Sequence, residues 1–207
     1  MDLPEFSEYR PARLLEAREA AIEQAWVTVE PPAGFARAHR HAGQFCKVRV
    51  DGEEGIFAMF SAPGESPTRF LVRVGSFEGG EAADRLASLP PGAAVEMTLP
   101  AGDGFALSRV RGRDVYFVAT GTGVAPVRAA LEEVLARRED YGALFLDHGV
   151  RSPAHLAIGE DIARWRAAGV DVRVCYSEVD AEGAVHGETV QASLRVREPD
   201  LSNAAVV

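Results

Sequence analysis

The chain has 207 residues, 47% of them apolar, and a formal net charge of −9. That length supports one large domain or two small ones with a real core. The acidic balance and the lack of a basic block argue against nucleic acid, and no apolar run is long enough for a membrane span. Cys46 and Cys175 are the sole cysteines and lie far apart, which suggests neither a disulfide framework nor a metal knuckle. The acidic N-terminus lacks the apolar stretch of a secretory leader, so a cytoplasmic protein is expected.

Up to about residue 108 the chain alternates in short runs between Gly/Pro-rich turns. Phe45–Val50 puts Cys46, Val48 and Val50 on one face, with Lys47 and Arg49 on the other. Phe70–Val74 and Val95–Leu99 repeat the pattern. Period 2 with frequent turns predicts antiparallel structure, a small β-barrel over residues 1–108. Within it, Glu81–Leu89 is expected to be a short helix after Gly79-Gly80. His39 and His41 flank Arg40 with no thiol or carboxylate cluster nearby, which favours surface histidines over a metal site.

The texture changes after Arg109–Arg113. Apolar runs at Val115–Ala119, Ala143–Leu146 and Val172–Cys175 alternate with helical segments. Val127, Ala130, Leu131, Val134 and Leu135 share a helical face; Ile162 and Trp165 begin a second, Val190 and Leu194 a third. Asn203–Val207 reads as the start of another buried strand. The expectation for residues 109–207 is an α/β domain with a parallel sheet. The fold class is therefore two-domain: an antiparallel β-barrel followed by an α/β nucleotide-binding domain.

Gly121 and Gly123 fall where the first parallel strand hands over to its helix, with Pro126 in the first helical turn. Glycines there let phosphate approach a helix N-terminus, and proline loses nothing at that position. Proline stands where a standard GxGxxG has its third glycine. Taken alone, the turn suits a dinucleotide site or an ordinary tight strand–helix turn about equally.

The longer string Thr120-Gly121-Thr122-Gly123-Val124-Ala125-Pro126 is more specific. It resembles the T-G-[TS]-G-[IV]-[AS]-P segment of the ferredoxin–NADP reductase superfamily. Ala42-Gly43-Gln44-Phe45 is similar to that family's P-G-Q-F turn, Phe60-Ser61 to its Tyr-Ser pair, and His148-Gly149-Val150-Arg151 to its Y-G-x-R. The resemblance implies a flavin-binding barrel before a pyridine-nucleotide domain, with FAD and NAD(P)H as cofactors. Hydride would pass from the nicotinamide to the flavin, then electrons to an acceptor the sequence does not identify. By this carry-over Phe60 would stack on the flavin and Ser61, the catalytic candidate, would hydrogen-bond its N5. Gly79, Gly80, Glu81, Ala82 and Ala83 would face the flavin phosphates. Thr120, Gly121, Thr122, Gly123 and Pro126 would hold the nucleotide; Arg151 and Ser177 either contact a 2′-phosphate or are simply solvated at the surface.

The sequence departs from the family pattern at several points. Ala58 stands where an arginine pairs with the flavin phosphates, Phe60 lacks a phenol hydroxyl, and Ala83 replaces a Ser/Thr. Losing the charge-assisted contact corresponds to about 1.5–3 kcal/mol. Arg73 is either a solvated strand residue or a substitute phosphate partner. Glu178 beside Ser177 favours an unmodified ribose, which leaves NADH and NADPH open. The family's C-G-x-x-x-M segment would follow Asn203–Val207, so the chain is expected to be cut short and to reduce flavin slowly. A nucleotide-binding regulatory or electron-transfer subunit without turnover is the alternative.

Overall fold

Residues 6–75, 78–178, 189–197 and 203–207, described by a computed structural model, form two sheets of opposite character. The first is antiparallel. Its strands are β1 (Arg10–Ala21), β2 (Gln24–Glu30), β3 (Phe45–Val50), β4 (Glu53–Ala58), β5 (Thr68–Arg73) and β6 (Ala94–Met97), ordered β4-β3-β6-β1-β2-β5. Its two edges are tied just beyond β4, where the Phe60 N–H donates to the Arg69 carbonyl at 2.9 Å. That bond curls the sheet into a barrel and leaves less edge exposed.

Local pattern explains which strands were legible. In β3 the alternating residues Cys46, Val48 and Val50 are buried, as its period predicts. β5 starts two residues before the expected Phe70, and β6 ends at Met97 rather than Leu99. β1 and β2 carry no clean alternation. β1 is a long, largely exposed strand, while β2 is buried at every position from Gln24 to Val29. Between β2 and β3 lies α1 (Phe35–Ala38), and α2 (Glu81–Ser88) matches the short helix expected after the glycine pair. The barrel interior is filled by Leu14, Val27, Phe35, Val48, Phe70 and Met97, among others.

The second sheet is parallel: β7 (Asp114–Thr120), β8 (Leu144–Val150), β9 (Asp171–Tyr176) and β10 (Ala204–Val206), ordered β10-β7-β8-β9. Helices α3 (Val124–Leu135), α4 (Gly159–Ala167) and α5 (Val190–Arg197) connect successive strands. Val127, Leu131, Ile162 and Trp165 pack with Leu144 and Leu146, which places α3 and α4 on one face. Phe145 and Asp147 point the other way, toward α5. There the Arg197 guanidinium meets Asp147 at 2.8 Å, and the Ser193 hydroxyl donates to Asp147 at 2.8 Å. This polar anchor explains why Ser193, rather than the expected Leu194, is the buried partner of Val190 on α5.

The chain steps from β7 to β8 to β9, then returns to β10 on the far side of β7. A reversal of this kind opens a crevice at the C-terminal ends of the strands. The two units share one apolar core, in which Trp26, Phe60 and Leu71 of the barrel pack with Val124, Val127 and Leu131 of α3. No helix among the described residues is long and apolar enough to cross a membrane.

Candidate nucleotide-binding site

A cleft of about 530 Å³ lies where the ends of β7, β8 and β9 face the barrel. Thr120, Gly121, Thr122, Arg151 and Ser177 line it from the parallel sheet, and Arg73 with the β1–β2 hairpin lines it from the barrel. Six of the residues expected at the cofactors are thereby brought to one place. The hairpin residues Ile22, Glu23 and Gln24 were not foreseen. No motif marks them, and their position depends on how the two units pack.

The local backbone explains the glycines. Thr120 ends β7 in an extended conformation, and Gly121–Gly123 form one tight 3₁₀ turn that runs directly into α3. Gly121 has φ +50°, the left-handed region that other residues enter only with strain. A Cβ built on Gly121 or Gly123 would meet nothing within 4 Å, so the space in front of both is open. No side chain caps the start of α3, a helix of 12 residues. The Val124 N–H turns back to the Gly121 and Thr122 carbonyls, and the helix start carries the positive end of the dipole, which favours an anion. Pro126 occupies that first turn, where it removes a donor the helix does not use. The open turn fits the pyrophosphate of a pyridine nucleotide.

Gly149 is required for a different reason. A Cβ there would lie 2.6 Å from Val190 Cγ2 and 3.3 Å from Thr120 Cγ2. The glycine of His148-Gly149-Val150-Arg151 lets α5 approach β8 and shapes the cleft wall.

Charge in the cleft is arranged across the seam. Glu23, at the tip of the barrel hairpin, pairs with Arg151 and lies 4.0 Å from Arg73. The hairpin is tied down by Ile22 N–H to the Ala154 carbonyl, 3.0 Å, and by Gln24 Nε2 to the His155 carbonyl, 2.6 Å. The Glu178 N–H bonds to the Arg151 carbonyl at 2.9 Å, which holds the ends of β8 and β9 together. Arg73 thus faces the nucleotide cleft.

The flavin-side positions lie elsewhere. Gly79 has φ +79°, and Gly80 is the N-cap of α2 without a side-chain cap, followed by exposed Glu81 and buried Ala82 and Ala83. The uncapped turn suits phosphate, although Glu81 and Asp84 bring negative charge to it. The ring-facing positions are filled by the protein itself. Phe60 has no exposed surface; Trp26 meets its ring edge-to-face at 4.6 Å, and the Arg128 guanidinium lies 4.8 Å from its centroid. Ser61 is 1% exposed; its Oγ accepts from the Arg69 N–H at 2.9 Å and donates to the Pro67 carbonyl at 3.4 Å. The phosphate end therefore fits FAD, whereas a flavin ring stacked on Phe60 requires Trp26 or Arg128 to move.

His39 corrects the surface expectation. It is 5% exposed, with its ring against Phe35, and burial pushes its imidazole down to about 4. The run around it looked polar, but α1 turns His39 inward while His41 stays exposed.

The family model for the oxidoreductase NAD-binding domain matches residues 117–205. Reductase components 1 and 2 of terephthalate 1,2-dioxygenase from Comamonas are each 30% identical over 164 residues, 79% of this chain and 48% of theirs. The chain thus spans about half the length of these curated relatives. A ferredoxin NADP+ reductase from Neisseria gonorrhoeae, solved with bound FAD and NADP, superposes with a TM-score of 0.81 at 15% identity, covering 97% of this chain and 84% of that one. The Amycolatopsis cytochrome P450 reductase GcoB gives a TM-score of 0.79 at 24% identity, over 96% of this chain and 61% of that one. At such identities the solved structures speak for the fold, and the sequence matches speak for the nucleotide segment. With a barrel leading into a Thr-Gly-Thr-Gly turn at the switch point of a parallel sheet, the chain has the two-unit fold of the ferredoxin–NADP reductases, and its residues 117–205 match the oxidoreductase NAD-binding domain.

Proposed function

We propose that the chain is an NAD(P)H-dependent flavin oxidoreductase, which takes hydride from a pyridine nucleotide to FAD and passes electrons to a separate acceptor. The observation that carries this reading is the uncapped N-terminus of α3, with open space at Gly121 and Gly123, facing the cleft. In it the open Gly121–Gly123 turn at the positive end of α3 holds the pyrophosphate, and the Thr120 and Thr122 hydroxyls flank it. Arg151 and Ser177 face the adenosine ribose. The barrel hairpin closes the opposite wall and limits water. We assign the flavin phosphates to Gly79–Ala83, with Phe60 and Ser61 as the wall behind the ring. Bound FAD would supply a hydride acceptor and an outlet for single electrons.

The relatives support this reading. Two are named reductase components of a dioxygenase, and one reductase was solved holding FAD and NADP. The net charge of −9 fits a partner other than nucleic acid, and cytoplasmic residence is part of the proposal. So is a unit boundary at residues 108/109. Gly123→Val tests the site directly. Gly123 has φ −60° and free space around its Cβ position, so valine is accommodated without backbone strain while filling the phosphate approach. The variant should keep its melting temperature and lose NAD(P)H binding by at least about tenfold. Normal binding in a folded variant would overturn the assignment.

One observation favours a second reading, a nucleotide-binding subunit without its own turnover. Phe60 and Ser61 are enclosed, and neither Ala58 nor Ala83 offers a polar side-chain contact to a flavin. Flavin absorption of the purified protein separates the two: a yellow protein reduced by NAD(P)H supports the oxidoreductase, a colourless one that cannot be reconstituted supports the subunit.

A further inference from the structure

We infer that Glu23, on the barrel, makes the cleft select the unphosphorylated adenosine ribose, so that the chain uses NADH in preference to NADPH. The inference rests on the proposed nucleotide cleft and adds a residue from the other unit to it.

In a parallel nucleotide-binding sheet the residue after the second strand meets the adenosine ribose. An acid there binds the 2′-hydroxyl, and an arginine accommodates a 2′-phosphate. Arg151 stands immediately after β8, and alone it would favour the phosphate. It does not act alone, because the Glu23 carboxylate is paired with it and also lies 4.0 Å from Arg73. Both side chains of the pair are 41% exposed, so they remain in contact with the cleft. A 2′-phosphate carries close to two negative charges. It would have to displace Glu23 from Arg151 or sit beside an uncompensated carboxylate, and Glu178 adds a second acid at the same strand ends. A ribose diol meets neither obstacle and finds an acceptor in Glu23.

The backbone holds Glu23 in this position. It adopts φ +58°, a left-handed conformation that glycine or asparagine enters at lower cost. Three hydrogen bonds fix the turn: Ile22 N–H to the Ala154 carbonyl at 3.0 Å, Gln24 Nε2 to the His155 carbonyl at 2.6 Å, and Val74 N–H to the Glu23 carbonyl at 2.9 Å. Two of them run to the segment just after Arg151, so carboxylate and guanidinium are set against each other before any ligand arrives. A carboxylate kept in a strained turn and aimed at the ribose position is placed for specificity.

Calorimetric titration of the full chain with NAD+ and with NADP+ tests this. Wild type should bind NAD+ more tightly. Glu23→Gln, and Glu23→Asn as a variant that suits the left-handed turn, should each move the NADP+/NAD+ affinity ratio toward NADP+ by about tenfold. Arg151→Ala added to Glu23→Gln should remove that gain, because the freed guanidinium is what the phosphate meets. Binding of both nucleotides with a ratio unchanged by either variant would overturn this inference and leave the cleft standing. So would tighter binding of NADP+ by the wild type. Failure of wild type and variants to bind either nucleotide would remove the cleft reading, and this inference with it.

Discussion

Gly149→Ala is the smallest substitution that tests how α5 seats against the cleft. The added methyl would lie 2.6 Å from Val190 Cγ2 and 3.3 Å from Thr120 Cγ2. Ordinary carbon contacts lie at about 3.5–4.0 Å, so relief needs a movement on the order of 1 Å. Val190 cannot provide it by rotating, because a β-branched side chain in a helix has essentially one favoured rotamer. It is also 3% exposed and begins α5, so the helix itself must shift. Overpacking of this kind costs about 1–3 kcal/mol. For a chain of this size each kcal/mol lowers the melting temperature by about 2–4 °C, which gives a drop of about 6 °C at the middle of the range. Since Val190 and Gly149 both line the cleft, NAD+ binding should weaken too.

Val190→Ala removes the methyl that the new Cβ would strike. The double variant should therefore be more stable than the sum of the single losses by at least about 1 kcal/mol, and should recover NAD+ affinity. Urea denaturation and nucleotide titration on the four proteins complete the cycle. Additive losses would refute the proposed contact.

Two further outcomes concern the buried charges. Asp147→Asn leaves Arg197, whose side chain is 3% exposed, with Asp171 at 2.5 Å as its one full charge partner among the described residues, and should cost about 3 kcal/mol. Unchanged urea midpoints would remove that pair from the account of how α5 is held. Burial also lowers both His39 and His148 to about 4, below the ordinary histidine value of about 6.5. The unfolded chain therefore binds more protons between those values, so stability is complete above about pH 6.5 and falls as pH drops toward 4. Asp171 and Glu132, held below the usual carboxylate range by Arg197 and Arg164 despite burial, lose their contribution at still lower pH. Denaturant titrations from pH 7.5 to 4 should show decline from about pH 6.5, and His148→Gln should flatten it. A flat profile down to pH 5 would contradict the burial of both rings.

Contiguous features were legible in the sequence. Thr120–Pro126 turns a strand into a helix within seven residues, and its glycines do their work through local backbone geometry. The strands of the parallel sheet announced themselves because burial on both faces demands continuous apolar runs. The barrel was legible only where one face met solvent, as in β3. β1 and β2 follow neither pattern, and the hairpin that joins them was missed with them. Its key contact, Glu23 to Arg151, spans 128 positions, and neither residue has a neighbour that hints at the other. His39 was misplaced for a similar reason, since only the packing of α1 on the barrel turns it inward.

Arg128 shows what such long-range contacts accomplish. It lies on the second turn of α3, 4% exposed, where helical periodicity alone would leave it facing solvent. Its Nη1 reaches the barrel, pairing with Glu65 at 2.5 Å and donating to the Phe60 carbonyl at 3.3 Å. Its Nε lies 3.9 Å from Glu132 on the same helix and 3.8 Å from Asp161 on α4. A second tie runs beside it, from the Ala42 N–H of the barrel to Glu133 at 3.1 Å. Sliding the barrel along α3 would separate Arg128 from Glu65 and leave a buried guanidinium short of a partner, a cost of several kcal/mol. The helix that presents its N-terminus to the cleft is thereby held in fixed orientation to the barrel that supplies Glu23 and Arg73. In the proposed cleft the phosphate turn and Arg151 stand on one unit and Glu23 on the other, and the buried arginine keeps the two in register.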